Sequence, residues 1–488
     1  MFQNNANNTE PLPFDAAYKI FGADAAEDDP NLKEYFLETP TWQKVLSGQT
    51  QFVLGRKGSG KSAIFKMLKD SNMADTTVLP ITPQKFALDV LNSFTSKYPA
   101  SPFNKEIAYA TAWKYSIMID LLLSIENTTD NLKMGSEASV HNWLKKHVEL
   151  DSDIITRTVA FLEKWMIEKV ALSQLSLEIK TGNKRGPIVG HDIDETIPQV
   201  EKILKTQKFT IAIDNLDEGW INKEDSRSYL VGLILAAKEL TRLNNLNVVI
   251  FMRTDMFKIL ETSYQHMDKF RQSIDYITWN AASLAQLINL RIKRYYNLKN
   301  VSNIESWNRL FPLKMENNFD TYKHIVERTF LRPREIIQFC RHTVDIASKY
   351  LHHKVIQKDI RMAETQYSEW KFNDLSGEYS AYYDNIDKLL ECYRREKIDF
   401  DNNELESETK KAIEVSNFKS KDNDSNKITV SNIISLLYQM GFIRAIFYSG
   451  KNKIYKSSST DPYLLCSTIH NWEIHPAFRS KIIIKKGY

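Results

Sequence analysis

Eight residues, GRKGSGKS from Gly55 to Ser62, fit the spacing of a glycine, four residues, then Gly-Lys-Ser without a gap. Such a stretch suits a phosphate ligand, because glycines let backbone N–H groups converge on the anion at the positive end of a following helix. Gly55, Arg56, Lys57, Gly58, Ser59, Gly60, Lys61 and Ser62 are therefore the candidate ATP-binding residues. Lys61 is expected to reach the β- and γ-phosphates and Ser62 to ligate Mg²⁺, while Lys57 has no required phosphate role. A nucleotide-bound metal also needs an acid on a second strand. FTIAIDNLDEGW supplies it: an apolar run and then Asp214, which joins Ser62 as candidate metal ligand. Asp217 and Glu218 follow within one turn, and either can polarise an attacking water, the step that separates a hydrolase from a binder. Asn215 occupies the position after the strand acid where many ATPases carry Glu, so the base is displaced, with Asp217 preferred to Glu218. The structural alternative makes both of them helix-start acids facing a positive dipole.

Two further places could sense the γ-phosphate. One apolar run ends in Arg253-Thr254-Asp255, making Arg253 or Thr254 a candidate, against a plain surface pair of Arg253 with Asp255. RTFLRPREIIQFC sets Arg332, Pro333 and Arg334 at a helix start, from which an arginine can swing onto a phosphate. The bland reading is two solvated arginines. Arg271 in DKFRQ is a candidate for a neighbouring subunit's nucleotide, with an ordinary surface charge the stronger reading.

The elements that must position these residues are legible in outline. Residues 51–54 (QFVL) read as a buried strand, 63–70 as a helix with Ile64, Met67 and Leu68 on one face. Residues 77–81 read as a strand that Pro80 confines to an edge or an end. The runs at 209–213 and 248–252 suit strands covered on both faces, and the apolar helix between them implies a right-handed crossover in a parallel sheet. Helical periodicity fills 83–180, where Trp113, Trp143 and Trp165 read as core, and KTGNKRGPIVG at 180–190 reads as a flexible loop. The chain is helical again to about 368. The polar, charge-blocked stretch 400–427 reads as a linker or mobile loop. A helix over 430–440 ends at Gly441 before FIRAIFY, SGKN and KIYK, a hairpin; helix then wing is the ending of a winged-helix fold.

Length and composition bound the rest. A chain of 488 residues suggests two or three domains. With 65 basic against 61 acidic residues the net charge is +4, so any nucleic-acid surface must be local. Three scattered cysteines without a CxxC argue against a disulfide framework or zinc site and fit a reducing cytoplasm. His352-His353 reads as exposed rather than metal-binding. The N-terminus lacks a signal-peptide pattern, and no apolar run reaches the roughly 18 residues needed to cross a bilayer. A cytoplasmic protein without membrane contact is expected. From Gly441 onward Arg444, Lys451, Lys453, Lys456, Arg479, Lys481, Lys485 and Lys486 face only Asp461 and Glu473, with Tyr448 and Tyr455 interleaved. Such a wing could follow a DNA backbone. A solvated or protein-facing basic surface is the preferred reading.

The ordered set GRKGSGKS, IAIDNLDEGW, IFMRTDMF, DKFRQ, ITW and RPREIIQFC resembles a prokaryotic P-loop ATPase family of the ASCE class. That family is related to KAP and STAND ATPases and to origin-recognition-type AAA+ proteins. FGADAAEDDPNLKEYFLETP ahead of the loop is similar as well, and the resemblance covers residues 14–345 with a weaker echo in the C-terminal part. It implies an ASCE-type core, a helical lid, and ATP-dependent oligomerisation or switching. It also gives Arg253 the third-strand sensor role and Arg334 the lid sensor role. The Asp214–Asp217 spacing resembles KAP and STAND members more than standard AAA+ proteins, while Asn215 departs from the KAP pattern. Related genes are often found in antiviral defence neighbourhoods.

The expectation is thus an α/β protein: a doubly wound parallel-sheet P-loop NTPase core with a large helical insertion, a helical lid and a C-terminal winged-helix domain. Its boundaries are 1–50 (N-terminal extension), 51–280 (core, with 83–190 inserted), 281–370 (lid) and 371–488 (winged helix). The expected function is a slow ATPase, ATP and water to ADP and phosphate, that works as a switch, forms a homo-oligomer and regulates a separate effector. The alternatives are a DNA-binding AAA+ loader or remodeller, and a non-hydrolysing ATP-bound scaffold.

Overall fold

Runs rich in β-branched and aromatic residues form the strands of a parallel sheet. These are β1 (Phe52–Gly55), β2 (Thr76–Ile81), β3 (Lys208–Ile213), β4 (Leu246–Arg253) and β5 (Ile274–Tyr276). They come from a computed structural model that describes residues 10–23, 25–71, 75–83, 105–126, 144, 154, 157–158, 160–164, 188–218, 224–264, 267–421 and 428–483. The strand order is β2-β3-β4-β1-β5, with every pair parallel. Every residue of β1 is buried, as is β3 beyond Lys208, because both faces are covered. Pro80 is accommodated because β2 is an edge strand. β4 lies between β1 and β3, the inserted position of an additional-strand ATPase, and its register sets Arg253 beside Gly55.

The chain divides into two compact units, one of Glu38–Arg56 with Lys61–Ile277 and the other of Met1–Leu37, Lys57–Gly60 and Thr278–Tyr488. In the sheet unit, helices α1 (Lys61–Lys69), α2 (Lys105–Glu126), α3 (Ile188–Leu204), α4 (Glu224–Leu240) and α5 (Thr254–Ser263) accompany the strands. α2 and α4 touch at Gly232, where a Cβ would lie 2.5 Å from that of Tyr109, so only glycine permits the approach. Trp113 and Tyr229 pack there with ring centroids 4.9 Å apart. Of the expected insertion, 105–126, 144, 154, 157–158, 160–164 and 188–190 are helical, so the loop expected at 180–190 ends inside α3. Residues 180–187, Trp143 and Trp165 lie outside the described residues.

The other unit is built on α6 (Ala281–Tyr295), α7 (Pro333–Lys349) and α8 (Gln357–Tyr379) around Phe339, Cys340, Val344, Ile360, Tyr367 and Leu375. Farther along, α9 (Asn402–Ser416) and α10 (Val430–Met440) accompany a sheet of β6 (Asp399–Asp401), β7 (Ile443–Ser449), β8 (Asn452–Lys456) and β9 (Asn471–Ile474). That sheet is antiparallel in the order β8-β7-β9-β6. The linker expected at 400–427 is a correction. Over its described part the chain forms β6, α9 and a short strand at Lys419–Ser420. Asp401 caps α9 by accepting from the Glu404 N–H at 2.9 Å, and only Leu405, Thr409, Ala412 and Ser416 of the helix are buried. So narrow a stripe hides among charge blocks, which is why composition alone reads as a linker. The α10 helix and hairpin fall where the sequence puts them. Among the described residues no helix is long and apolar enough to cross a membrane.

Candidate nucleotide site

In the sheet unit, β1 delivers Gly55 to the sheet's carboxyl edge, where open α/β sheets bind ligands, and α1 starts at Lys61. The Lys61 ammonium donates to the Gly55 and Arg56 carbonyls at 3.1 and 3.3 Å, which fixes it over the start of the loop. Burial pushes its pKa down, opposed by the charges of Asp217 and Asp214. Asp214 leaves β3 only 3% exposed. Burial raises its carboxyl to about 6 against the Asn215 N–H, Lys61 and a hydrogen bond with the Ser62 hydroxyl. The two candidate metal ligands are thus in contact, and a divalent cation would relieve the desolvated carboxylate.

Asn215 has a φ of 62°, in the left-handed region that asparagine tolerates better than glutamate does. The chain reverses there, with the Glu218 N–H donating to the Asn215 carbonyl at 3.4 Å. The residue after the strand acid is spent on a turn, and that displaces the carboxylates downstream. Asp217 is exposed and 3.8 Å from an Arg253 nitrogen. Glu218 is exposed at the turn. Arg253 also holds Asp255 in a two-point pair, Nε–Oδ1 3.0 Å and Nη2–Oδ2 2.7 Å. Lys61, Ser62, Asp214, Asp217 and Arg253 come together; the surface pair of Arg253 and Asp255 is real and coexists with that cluster. Arg271 sits exposed in the turn Met267–Ser273.

The tip of the loop, Lys57–Gly60, groups with the other unit. The Lys57 carbonyl accepts from Arg332 Nη1 at 3.2 Å, the Gly58 carbonyl from the Arg334 N–H at 3.3 Å, and the Ser59 carbonyl from Trp279 Nε1 at 2.8 Å. Since C=O and N–H of one peptide unit point opposite ways, these anchors turn the N–H groups of Gly58, Ser59 and Gly60 in the other direction. Gly58 has a φ of +75°, and a Cβ on it would lie 2.9 Å from that of Arg334, so no other residue fits. Among the described residues the Ser59 hydroxyl is buried without a hydrogen-bond partner, as expected of a donor kept for a phosphate oxygen.

Around those anchors runs a charge network. Arg332, for which solvation was the bland alternative, is 5% exposed and lies 3.3 Å from Glu378 and 3.6 Å from Glu335. Burial alone would lower its pKa, but Glu378 and Glu335 hold it above its usual range. Lys371, fully buried, lies 2.7 Å from Glu335 and 3.5 Å from Asp374. Asp374 also takes Lys57 at 3.0 Å and Arg334 at 3.9 Å. Arg334, the sequence candidate, is one-third exposed and lies over the Trp370 ring. Sequence reasoning missed Trp279 as a loop anchor and missed Lys57, Lys371, Glu335 and Asp374 as a network. The only advance signal was charge recurring along 357–379, which reads as a solvated face.

The basic C-terminal surface is largely paired. Arg444 and Arg479 share Glu473, Lys456 meets Asp461 at 2.9 Å, and Lys453 meets Asp399 at 3.4 Å. Lys481 meets Glu369 and Glu391 at 3.2 and 3.8 Å, so the fold brings in carboxylates beyond the two nearby in sequence. Lys485 and Lys486 lie outside the described residues.

A family model described as a FunZ-associated C-terminal helical domain matches residues 282–376. The putative transposon gamma-delta 80.3 kDa protein of Escherichia coli (strain K12) is 24% identical over 447 residues, or 87% of this chain. The chain spans 61% of the length of that relative. The solved ORC2 protein of Aeropyrum pernix in ADPNP-ADP complexes aligns at 8% identity with a TM-score of 0.35, over 93% of this chain and 90% of that one. The Aeropyrum pernix ORC1 protein in complex with DNA aligns at 12% and 0.34, over 91% of this chain and 94% of that one. Drosophila ORC bound to DNA aligns at 9% and 0.29, over 98% and 94%. Scores this low describe a loose correspondence, and the fold stands on the strand order and the loop.

Proposed function

We propose that this chain is a nucleotide switch that binds ATP-Mg²⁺ on the Gly55–Ser62 loop and hydrolyses it slowly. The observation that carries the reading is the contact of Ser62 with the buried Asp214 beside Lys61. Lys61 would hold the β- and γ-phosphates, and the anchored loop would present the N–H groups of Gly58, Ser59 and Gly60. Ser62 would ligate Mg²⁺ directly and Asp214 through water. When bound, the cation would offset the negative charge that develops on the transferred phosphate. Asp217 orients the attacking water and Arg253, fixed by Asp255 and Asp217, faces the transferred group. Arg334 reports on the γ-phosphate from the loop tip. The slow rate is read from Asn215, which takes the place of the carboxylate after the strand acid and leaves the water-orienting role to the exposed Asp217.

The remaining parts of the reading are a helical lid, a winged-helix C-terminal domain, self-assembly and a separate effector partner. The antiviral setting rests on the family resemblance alone. Duplex DNA as a partner ranks second: Tyr448 and Tyr455 are exposed on the hairpin, but Lys453, Lys456, Arg444 and Arg479 spend their charge on carboxylates. A multiple-turnover phosphate-release assay, run with and without DNA, decides among these. Wild type should turn over slowly and Lys61→Ala should neither bind nor hydrolyse ATP. A Lys61→Ala protein with normal binding and turnover overturns the proposal. Stimulation by DNA would promote the second reading, and binding without turnover would leave a scaffold.

A further inference from the structure

We propose that Asp255 is a positioning residue for hydrolysis: it holds the Arg253 guanidinium off Asp217, so that the Asp217 carboxylate stays available to orient the attacking water. This deepens the ATP-switch reading and rests on it.

The groups concerned, Lys61, Asp214, Asp217, Arg253 and Asp255, all belong to the sheet unit. Arg253 ends β4 in register with Gly55, and α5 begins at the next residue. Arg253 therefore stands at the carboxyl edge of the sheet, with Asp255 in the first turn of the helix that follows. The pair is a fork: Nε and Nη2 of Arg253 donate to Oδ1 and Oδ2 of Asp255 at 3.0 and 2.7 Å. Asp217 Oδ2 lies 3.8 Å from Nη1, an ionic contact too long for a hydrogen bond. Arg253 thus stands between two carboxylates that hold it unequally. A two-point pair fixes the planar guanidinium in both position and orientation, and a single long contact fixes neither. Besides burial, the charges of Asp217, Asp214, Arg253 and Asp255 act on Lys61, so the fork shares the electrostatic surroundings of the loop lysine.

The inequality matters for the water. The side chain of Arg253 is 13% exposed, against 38% for Asp217 and 40% for Asp255. A guanidinium so far desolvated needs its donors satisfied. Without the Asp255 acceptors it turns to Asp217, the other carboxylate within reach, and engages the oxygens that a water would use. Asp255 prevents this while touching neither nucleotide nor water itself. As a helix-start acid alone it would add only to the stability of α5.

The test measures single-turnover phosphate release at saturating ATP, and AMP-PNP affinity in Mg²⁺ by calorimetry, on full-length chains. Asp255→Asn should slow release about tenfold, the order expected when one charge-assisted contact is lost from the reacting arrangement, with AMP-PNP affinity unchanged within about twofold. Asp255→Glu, which keeps the charge and both acceptors, should recover most of the rate. In an Arg253→Gln background the added Asp255→Asn change should alter the rate by less than about twofold, because no guanidinium is left to restrain. Should Asp255→Asn lose native circular dichroism, Asp255→Ser takes its place with the same expectation. A folded neutral variant that releases phosphate at the wild-type rate overturns the proposal and leaves the ATPase reading standing, as does an equal loss with and without Arg253. Wild type without turnover overturns both.

Discussion

Lys371→Met removes one charge from the middle of the buried network while nearly conserving volume. Lys371 is fully buried, its ammonium 2.7 Å from Glu335 and 4.5 Å above the Phe330 ring. Breaking a buried pair by deleting one partner costs about 3–5 kcal/mol, because the remaining charge is left uncompensated. Two features move the value to the lower end. Glu335 keeps Arg332 at 3.6 Å and the Phe330 N–H, and Asp374 keeps Lys57 at 3.0 Å. We expect a loss of about 3 kcal/mol, or a fall of roughly 6–12 °C in the affected transition at 2–4 °C per kcal/mol for a unit of this size. Differential scanning calorimetry of the full chain measures it. Neutralising the partner as well, in Lys371→Met with Glu335→Gln, should cost less than the sum of the single changes by at least about 1 kcal/mol. A single-variant shift below about 2 °C, or strict additivity, would show that the network does not hold this unit together.

Two other expectations concern acid stability and turnover. Burial alone would raise the Glu364 carboxyl, but the hydrogen bond from His324 and the charge of Arg328 hold it at about 2. Its folded pKa lies below the ordinary value of 4.5, so the stabilisation is full above that value and disappears as pH falls through about 2. The shift corresponds to about 3 kcal/mol, and Glu364→Gln should flatten the acid limb of a urea-denaturation series in that window; an unaltered limb removes the reasoning. In phosphate release, Asp217→Asn should abolish turnover while retaining ATP binding, whereas Glu218→Gln should keep most of the rate. The reverse result moves the water-orienting role to Glu218.

What was legible in the sequence is what depends on neighbours in the chain. The loop with its strand and helix, the apolar runs of β3 and β4, the edge position of Pro80 and the helix that stops at Gly441 each rest on local pattern. Register across β4 then places Arg253 beside Gly55, and no more than strand order was needed for that. The anchors of the loop tip were not legible. Trp279, Arg332 and Asp374 meet Lys57, Gly58 and Ser59 across more than two hundred residues of chain, and nothing local distinguishes a lysine paired in this way from one in water. Arg332 and Arg334 look alike as text, yet one is buried and the other one-third exposed. α9 was missed for the opposite reason: its buried stripe is so thin that its charges dominate any compositional view. Asn215 was legible as a departure, but its cause, a left-handed turn, is visible only in the backbone.

The pairing of β6 with β9 has a consequence for how the C-terminal part can be handled. Phe400 stands opposite Trp472 in that ladder, and both are buried. A fragment begun at α10 would carry the hairpin and β9 but not the strand that completes the sheet. Its β9 edge would present unpaired amides next to an uncovered tryptophan, a template for intermolecular strand pairing. Because the two strands are separated by some seventy residues of chain, their pairing carries a larger loop-closure cost than that of the hairpin. Any dissection meant to isolate the hairpin should therefore begin upstream of Asp399, or the aggregation it provokes will be mistaken for binding.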